Sequence, residues 1–562
     1  MRHSGRPYSI HRALRAVLDE IRPVHPTPFH FSQRRDFHDY FVTHLPSSSL
    51  APDRSHPSHH KLPRSDSSPH QGPTGRSHQL PSVNNVNRDT TVVRIPLKSA
   101  KHHYGARNSR GSRPYNEDTY QAGTVEIPAF AQKQPVSISR RSDTIQSVGS
   151  SRDTGDPQVF YFGVFDGHGG SECAEFLRDR LHGYIEEAAL LFGMQSSLRS
   201  ENGEENGAQP SDGIMGEHDP ESLQKELVSS WKETVGGYFK RFRPEYFPAL
   251  AKEGGDAATS DPSSIETVLT YAFLKADLDF TTAQASKHTA GAQNEKGPPS
   301  SVNDPVIDDK PLNEGDMLFH PDKPASQNLS KRPPSKGSSP DLDAPIGGST
   351  RFKGGSTASV ALVSTPSSTP FWHPNSPSTM VIAHVGDTRI LLCQTSDGAA
   401  VPLTANHHPA LPTEQRRMRR YAASFVTDSF GEERVLGLAN TRAFGDIESK
   451  RIGVSAEPQL TTVQVAPAAY AFLVLVSDGV SGHLEDQEIV DIVKEARTPD
   501  QAAQNLVSFA VETSQNADNA TALVVRLGGW ERRSEGGGGS LGTKERRDFR
   551  QREADDPRSR RQ

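Results

Sequence analysis

Apolar residues in this chain fall into short dense runs separated by long polar stretches, and the runs are of two kinds. Seven are short, rich in β-branched and aromatic residues, and bounded by Gly, Pro, Asp or Ser: "TVVRIPL" (91–97), "VFYFGVF" (159–165), "STASVALVS" (356–364), "TMVIAHVG" (379–386), "RILLCQ" (389–394), "AFLVLVS" (471–477) and "TALVVRL" (521–527). These predict strands. Apolar residues at helical spacing around 173–192, 220–240, 264–284, 485–496 and 499–514 predict helices. Two Asp-Gly pairs separate into different classes on this basis. In "ILLCQTSDGAAVPLT", Asp397-Gly398 lies between two strand-like runs and predicts a hairpin. In "YFGVFDGHGG", Asp166-Gly167 is followed by the helical pattern "GGSECAEFLRDRLHGYIEEAALLF". A strand that runs into acid, glycine and histidine ahead of a helix is a site geometry as often as a turn.

The polar stretches change the domain picture. Only 33% of the 562 residues are hydrophobic, and the chain holds 45 Gly and 42 Pro, so much of it lacks the apolar surface to offset ordering entropy. Segments at about 131–156, 195–219 and 285–350 predict disordered inserts in one domain spanning 89–528, because long structureless loops are uncommon within compact domains. Residues 1–88, rich in Ser, Pro, Arg and His without regular metal-ligand spacing, predict a disordered tail. Residues 529–562 predict a disordered charged tail whose alternating basic and acidic residues could fold against a partner. The first 22 residues place Arg2, Arg6, Arg12 and Arg15 opposite Ile10, Leu14, Val17, Leu18 and Ile21 on a helix, the pattern of a mitochondrial transit peptide. Asp19, Glu20, Asp36 and Asp39 favour the alternative, a cytoplasmic tail. A net charge of −6 gives no electrostatic case for nucleic acid. Two cysteines, Cys173 and Cys393, cannot build a disulfide framework or a Cys-rich zinc site. No run reaches the roughly 18 apolar residues of a membrane span.

The candidate chemistry lies where strands begin and end. Asp166, Asp387 and Asp478 close strands, Asp518 opens the last one, and "SRPYNEDTY" adds Glu117 and Asp118. Each acid alone reads as a turn or cap residue. Gathered at one sheet edge they would repel, and such a cluster is costly unless cations sit in it. Carboxylate oxygens with a glycine carbonyl, without Cys and without paired His, suit Mg²⁺ or Mn²⁺. Two such ions about 3.5–4 Å apart hold a hydroxide in line with phosphorus.

Seven segments in order, "SRPYNEDTY", "FGVFDGHGG", "GGSTASVALV", "AHVGDTRILL", "LANTRAFGD", "LVLVSDGV" and "ADNATALVV", resemble the metal-dependent serine/threonine phosphatases of the protein phosphatase 2C family, over about 90–528 less the inserts. "SRPYNEDTYQ" and "SDGVSGHLEDQEIVDIV" resemble its fungal, mitochondrial branch. The resemblance implies an α+β fold, a four-layer αββα sandwich of two antiparallel sheets flanked by helices with the metal pair at one end. It implies that Asp166 bridges two Mg²⁺ or Mn²⁺ ions, with Glu117 and the Gly167 carbonyl completing one site and Asp478 and Asp518 the other. Asp118 would orient metal-bound water, and Asp387 and Asn519 are further candidates behind the pair. Arg113 would grip the substrate phosphate. A metal-bridging hydroxide would attack phosphorus directly, without a covalent enzyme intermediate, while His168 protonates the departing Ser or Thr oxygen. Without the resemblance, His168 reads more simply as a strand-end histidine stabilising its loop. The partners implied are phosphoserine and phosphothreonine proteins, acted on by a monomer.

Departures from the family pattern are few. Ser481 and Gly482 stand where a Trp and a third-ion Asp are frequent, Asn406-His407 replaces Asp-His, and Thr441-Arg442 replaces Ser-Arg, while Asp446 is retained. The competing reading, a catalytically inactive relative acting as a scaffold, requires broken metal ligands, and every residue assigned to the metal pair is present.

Overall fold

Alternation within fully buried strands sets the layering. In β5 (Val159–His168), Val159, Tyr161 and Phe165 join a core shared with helices, whereas Phe160, Phe162 and Val164 join a core shared with a second sheet. Successive side chains leave a strand on opposite faces, so a strand apolar at every position must be covered on both sides. The computed structural model describes residues 37, 40–46, 90–96, 103–133, 156–198, 219–250, 261–285, 287, 346–348, 350–419, 425–427, 433–435, 438–533 and 541–555.

The remaining strands are β1 (Tyr40–Pro46), β2 (Thr90–Pro96), β3 (Tyr104–Ser109), β4 (Thr119–Val125), β6 (Gly355–Ser364), β7 (Ser378–Val385), β8 (Arg389–Gln394), β9 (Ala400–Pro402), β10 (Phe425–Thr427), β11 (Glu433–Val435), β12 (Phe444–Gly445), β13 (Gln459–Val465), β14 (Tyr470–Val476) and β15 (Ala520–Arg526). One antiparallel sheet runs β13-β7-β6-β5-β4, with β12 pairing the start of β6, and the other runs β3-β15-β14-β8-β9. Between them Ala361, Val363, Met380 and Ile382 meet Ile390, Leu392, Leu473, Leu475 and Leu523. The helices are α1 (Glu172–Leu191), α2 (Pro220–Thr234), α3 (Ile265–Ala285), α4 (Pro412–Arg419), α5 (Ile447–Lys450), α6 (Asp478–Ser481), α7 (Asp486–Glu495), α8 (Pro499–Thr513) and α9 (Leu541–Asp555). Helices α1, α2 and α3 cover the outer face of the first sheet, and α7 and α8 that of the second. This is the expected four-layer sandwich of two antiparallel sheets flanked by helices.

All seven predicted strands form, and the Asp397-Gly398 segment is the β8–β9 hairpin. The helix predicted over 220–240 ends at Thr234, because Gly236 and Gly237 take positive φ and the chain re-enters as a 3₁₀ turn at Gly237–Arg241. Seven strands escaped the pattern: β3, β4 and β13, which are sheet edges, β1 within the expected tail, and the short β10, β11 and β12.

Folded segments extend beyond the expected bounds 89–528 on both sides, among the described residues. Within the expected tail 1–88, β1 pairs antiparallel with β2 from Tyr40↔Pro96 to Pro46↔Thr90, and Phe37 packs edge-on against Tyr161 and His182. Within the expected tail 529–562, α9 is folded: Thr543 Oγ1 donates to Asp491 at 2.8 Å, and Arg547 reaches Glu495 at 2.9 and 3.2 Å. The basic side chains of the alternation thus find their acidic partners on α7 of the same chain. The three expected inserts, and the amphipathic segment 1–22, lie largely or wholly outside the described residues. Cys173 and Cys393 are buried and unpaired with each other. Among the described residues no helix is long and apolar enough to cross a membrane.

Candidate metal centre

The carboxylates converge because antiparallel strands of both sheets end at one edge. Asp166 is the eighth residue of β5 and pairs with Thr357 of β6. Asp387 follows β7, and Asp478 begins α6 directly after β14. Ligand oxygens of Asp166, Asp387 and Asp478 lie within 4.8 Å of one another. The Asp478 N–H donates to Asp166 Oδ2 at 3.2 Å, so the two sheets are joined through the site itself. Gly167 is required by close approach: a Cβ there would fall 2.6 Å from the Glu117 carbonyl oxygen. This is how β5 brings its Asp-Gly end against the segment carrying Glu117 and Asp118.

The electrostatics are those of negative charge without compensation. Burial, then the neighbouring Asp478, Asp118 and Asp387, push the Asp166 carboxyl well above the ordinary range. Burial followed by Asp387 raises Asp478 to about 7, and burial raises Asp387, moderated by Asn440. Asp118 is 2% exposed, neither of its carboxylate oxygens has a hydrogen-bond partner of good geometry, and burial pushes it to about 6 despite the nearby Ser477 and Thr521 hydroxyls. Three crowded carboxylates and a fourth with two orphaned oxygens fit an all-oxygen divalent-cation site.

The other expected residues stand around this cluster. Glu117 is half-buried with a carboxyl raised by burial, and it feels His168, Arg113 and Asp518. Arg113 Nη2 donates to Asp518 Oδ2 at 2.6 Å, both groups being solvent-accessible. Asn519 acquires a definite task. Its Oδ1 accepts from the Glu117 N–H at 2.7 Å, and its Nδ2 donates to the carbonyls of Arg110 and Tyr115 at 3.1 and 2.9 Å. It therefore fixes the loop that presents Arg113 and Glu117.

His168 closes β5 with 37% of its side chain accessible, and its Nε2 lies 2.9 and 3.0 Å from the two oxygens of Asp446, itself 5% exposed. Burial alone would lower the imidazole pKa, but the Asp446 charge and hydrogen bond, helped by Asp387 and Glu117, raise it. The ring is thus held by a carboxylate from a remote segment of the chain, and it feels Asp387 and Glu117 of the cluster. Asn440 Nδ2 donates to Asp387 Oδ2 at 2.9 Å. The next two residues are Thr441-Arg442, where Glu414 accepts from Arg442 at 2.8 Å, from Arg417 at 2.7 Å and from Thr441 Oγ1 at 2.7 Å. Asn440, Asp446 and Glu414 were not assigned roles from the sequence. The retained acid of "TRAFGD" was the one available signal.

Comparison with known proteins finds relatives of this chain. The family profile "Protein phosphatase 2C" matches residues 327–519. Protein phosphatase 2C homolog 4 of Schizosaccharomyces pombe is 30% identical over 443 residues, covering 79% of this chain and 84% of that protein. A protein named protein phosphatase 1K, mitochondrial, of Xenopus laevis is 38% identical over 152 residues, 27% of this chain and 40% of its own. A solved structure of serine-threonine phosphatase 2C from Toxoplasma gondii is 16% identical, with a TM-score of 0.40 over 75% of this chain and 94% of that one. With a relative of this identity aligned across most of both proteins, the chain belongs to the protein phosphatase 2C family of metal-dependent serine/threonine protein phosphatases.

Proposed function

We propose that this site hydrolyses phosphoserine and phosphothreonine in proteins by direct attack of water on phosphorus, using two Mg²⁺ or Mn²⁺ ions. The observation that carries the reading is the meeting of the part-buried Asp166, Asp387 and Asp478 within 4.8 Å. Glu117, Asp166, the Gly167 carbonyl, Asp478 and Asp518 would hold the ions, with Asp387 and Asp118 beside them. Bound there, divalent cations would supply a water of lowered pKa as the nucleophile and positive charge for the phosphoryl oxygens.

The chain's own residues then divide the remaining work. Arg113, already exposed and fork-shaped, would exchange Asp518 for two phosphate oxygens. His168 would enter as the imidazolium, whose Nε2–H stays on Asp446 and leaves Nδ1–H to face the leaving group. As the bond between phosphorus and the Ser or Thr oxygen breaks, its electron pair stays on that oxygen, which takes the Nδ1 proton. Water provides the oxygen of the new bond, and the proton it sheds passes to solvent, from which His168 is recharged.

The test is hydrolysis of a phosphothreonine peptide with and without Mn²⁺ or Mg²⁺. Asp166→Ala and Asp478→Ala should each lose about a hundredfold in activity, because the cations supply both nucleophile and charge. Full activity of the wild type in EDTA would overturn the proposal.

We also propose a mitochondrial address, with phosphorylated mitochondrial enzymes as substrates, on the basic amphipathic pattern of residues 1–22 and on similarity to a relative that is itself mitochondrial. Residues 1–60 fused to a fluorescent protein should be imported and processed. Diffuse cytosolic signal without processing would refute the address alone.

A further inference from the structure

The structure contains an ion pair that the reaction does not use. Lys450 Nζ lies 2.6 Å from Asp277 Oδ2, and both side chains are fully buried. Removing two charges from water costs more than such a pair commonly returns in stability, so its value lies in geometry. The geometry leads toward the catalytic edge. Asp277, in the middle of α3, accepts the Gly445 N–H on its other oxygen at 2.9 Å, and Lys450 also donates to the Ala443 carbonyl at 2.7 Å. The chain from Ala443 to Lys450 is thereby closed into a tight turn around one carboxylate.

That turn holds a strained residue. Asp446 has φ 46° and ψ 49°, the left-handed region that favours glycine and that other residues adopt only occasionally. Such a conformation persists only where its surroundings over-determine it. Here the Asp446 N–H donates to the Gly354 carbonyl at 3.0 Å on one side while Asp277 pins Gly445 on the other. A Cβ at Gly355 would fall 2.5 Å from Asp446 Oδ2, so the carboxylate occupies a slot cut to its size. In that slot it meets His168 Nε2 at 2.9 Å.

We propose that Asp277 and Lys450 are positioning residues for the proton donor: by anchoring the Gly445–Asp446 turn they hold His168 at the angle that protonates the leaving oxygen. The inference rests on the reading of His168 as that donor. It assigns no contact with substrate or metal to either residue.

The test compares two substrates whose leaving groups differ. A phosphoserine peptide must release an alkoxide and needs a proton, whereas p-nitrophenyl phosphate releases a stable phenolate and does not. The variant D277L/K450M removes both charges together, leaving neither buried alone, and deletes the acceptor for Gly445. Its kcat on the peptide should fall by about tenfold or more at unchanged KM, as small misplacement of a catalytic group does, with less than about a threefold loss on p-nitrophenyl phosphate. D277N/K450M, which keeps an oxygen for Gly445, should recover most of the peptide activity. Lys450→Gln gives a milder version of the same split if the double variant does not fold. An unchanged ratio of the two substrates in folded protein, or an equal fall on both, would overturn the inference. His168→Gln separates the two readings. If it is selective against the peptide while D277L/K450M is not, only the positioning role fails, and if it shows no selectivity, the proton-donor reading fails with it.

Discussion

Asp166→Asn should make the metal-free protein more stable while abolishing its response to metal. The wild-type carboxylate faces Asp387 and Asp478 with ligand oxygens within 4.8 Å. Unit charges at that distance repel by about 0.9 kcal/mol in a water-like medium and about 3.5 kcal/mol at an effective dielectric of 20. The site lies between those limits, and the wild type relieves part of the repulsion by binding protons. A net gain of about 1–3 kcal/mol for the variant follows at pH 8 in chelator. Asparagine keeps an oxygen for the Asp478 N–H, now accepted at 3.2 Å, so no hydrogen bond is lost to offset that gain. The assay is thermal melting in EDTA and across a Mn²⁺ titration. Wild type should melt a few degrees lower than the variant in EDTA and then rise above it with metal, since a ligand that binds only the folded state stabilises in proportion to its occupancy. If the variant melts below wild type in EDTA and retains the full metal-induced rise, the cluster is not a repulsive cation site.

Further outcomes follow from neighbouring features. Arg113→Ala should raise KM for phosphopeptide about tenfold or more with a smaller effect on kcat, because the lost contact is with bound phosphate, and an unchanged KM in steady-state assays would remove Arg113 from that role. Glu414→Gln should cost about 3–5 kcal/mol in urea denaturation at pH 7, since it leaves the Arg417 and Arg442 guanidiniums buried without their counter-ion. Burial alone would raise the Glu414 carboxyl, but the two arginines hold it far below its ordinary value. That stabilisation is thus present at neutral pH and fades only as pH falls through the depressed value, so the wild-type advantage over Gln should persist from pH 7 to pH 5. Truncation after residue 540 should lower the melting temperature, because it strips Thr543, Arg547 and Arg550 from Asp491, Glu495 and Glu488, and a neutral result would return the tail to filler. Replacing 289–344 by a short Gly/Ser linker should leave metal-dependent activity largely intact, provided Gln284 keeps its bond to the Ile346 carbonyl at 2.8 Å.

How much of this was legible in the chain depended on how local the determining physics was. The central strands β5, β6, β7, β8, β14 and β15 announced themselves because covering a strand on both faces demands apolar residues at every position. Edge strands carry no such demand: β13 reads "QLTTVQV", with only Val465 buried, and β3 reads "YGARNS". They could be recognised only by their neighbours. The acids of the cluster were visible as strand-end residues. What the chain alone did not determine was which of them meet. Asp387 joins Asp166 and Asp478 because the ends of β5, β7 and β14 fall at one edge, a matter of sheet order and register that local sequence does not set. Asp446 reaches His168 across 278 residues, Asn519 reaches Glu117 across 402, and α9 finds α7 across 52. The hydrophobic period fixes which face of an element is buried, but only closure of the two sheets on their shared core fixes which ends come together. The carboxylate cluster, the contact of His168 with Asp446 and the buried Asp277–Lys450 pair behind it are all made at those ends.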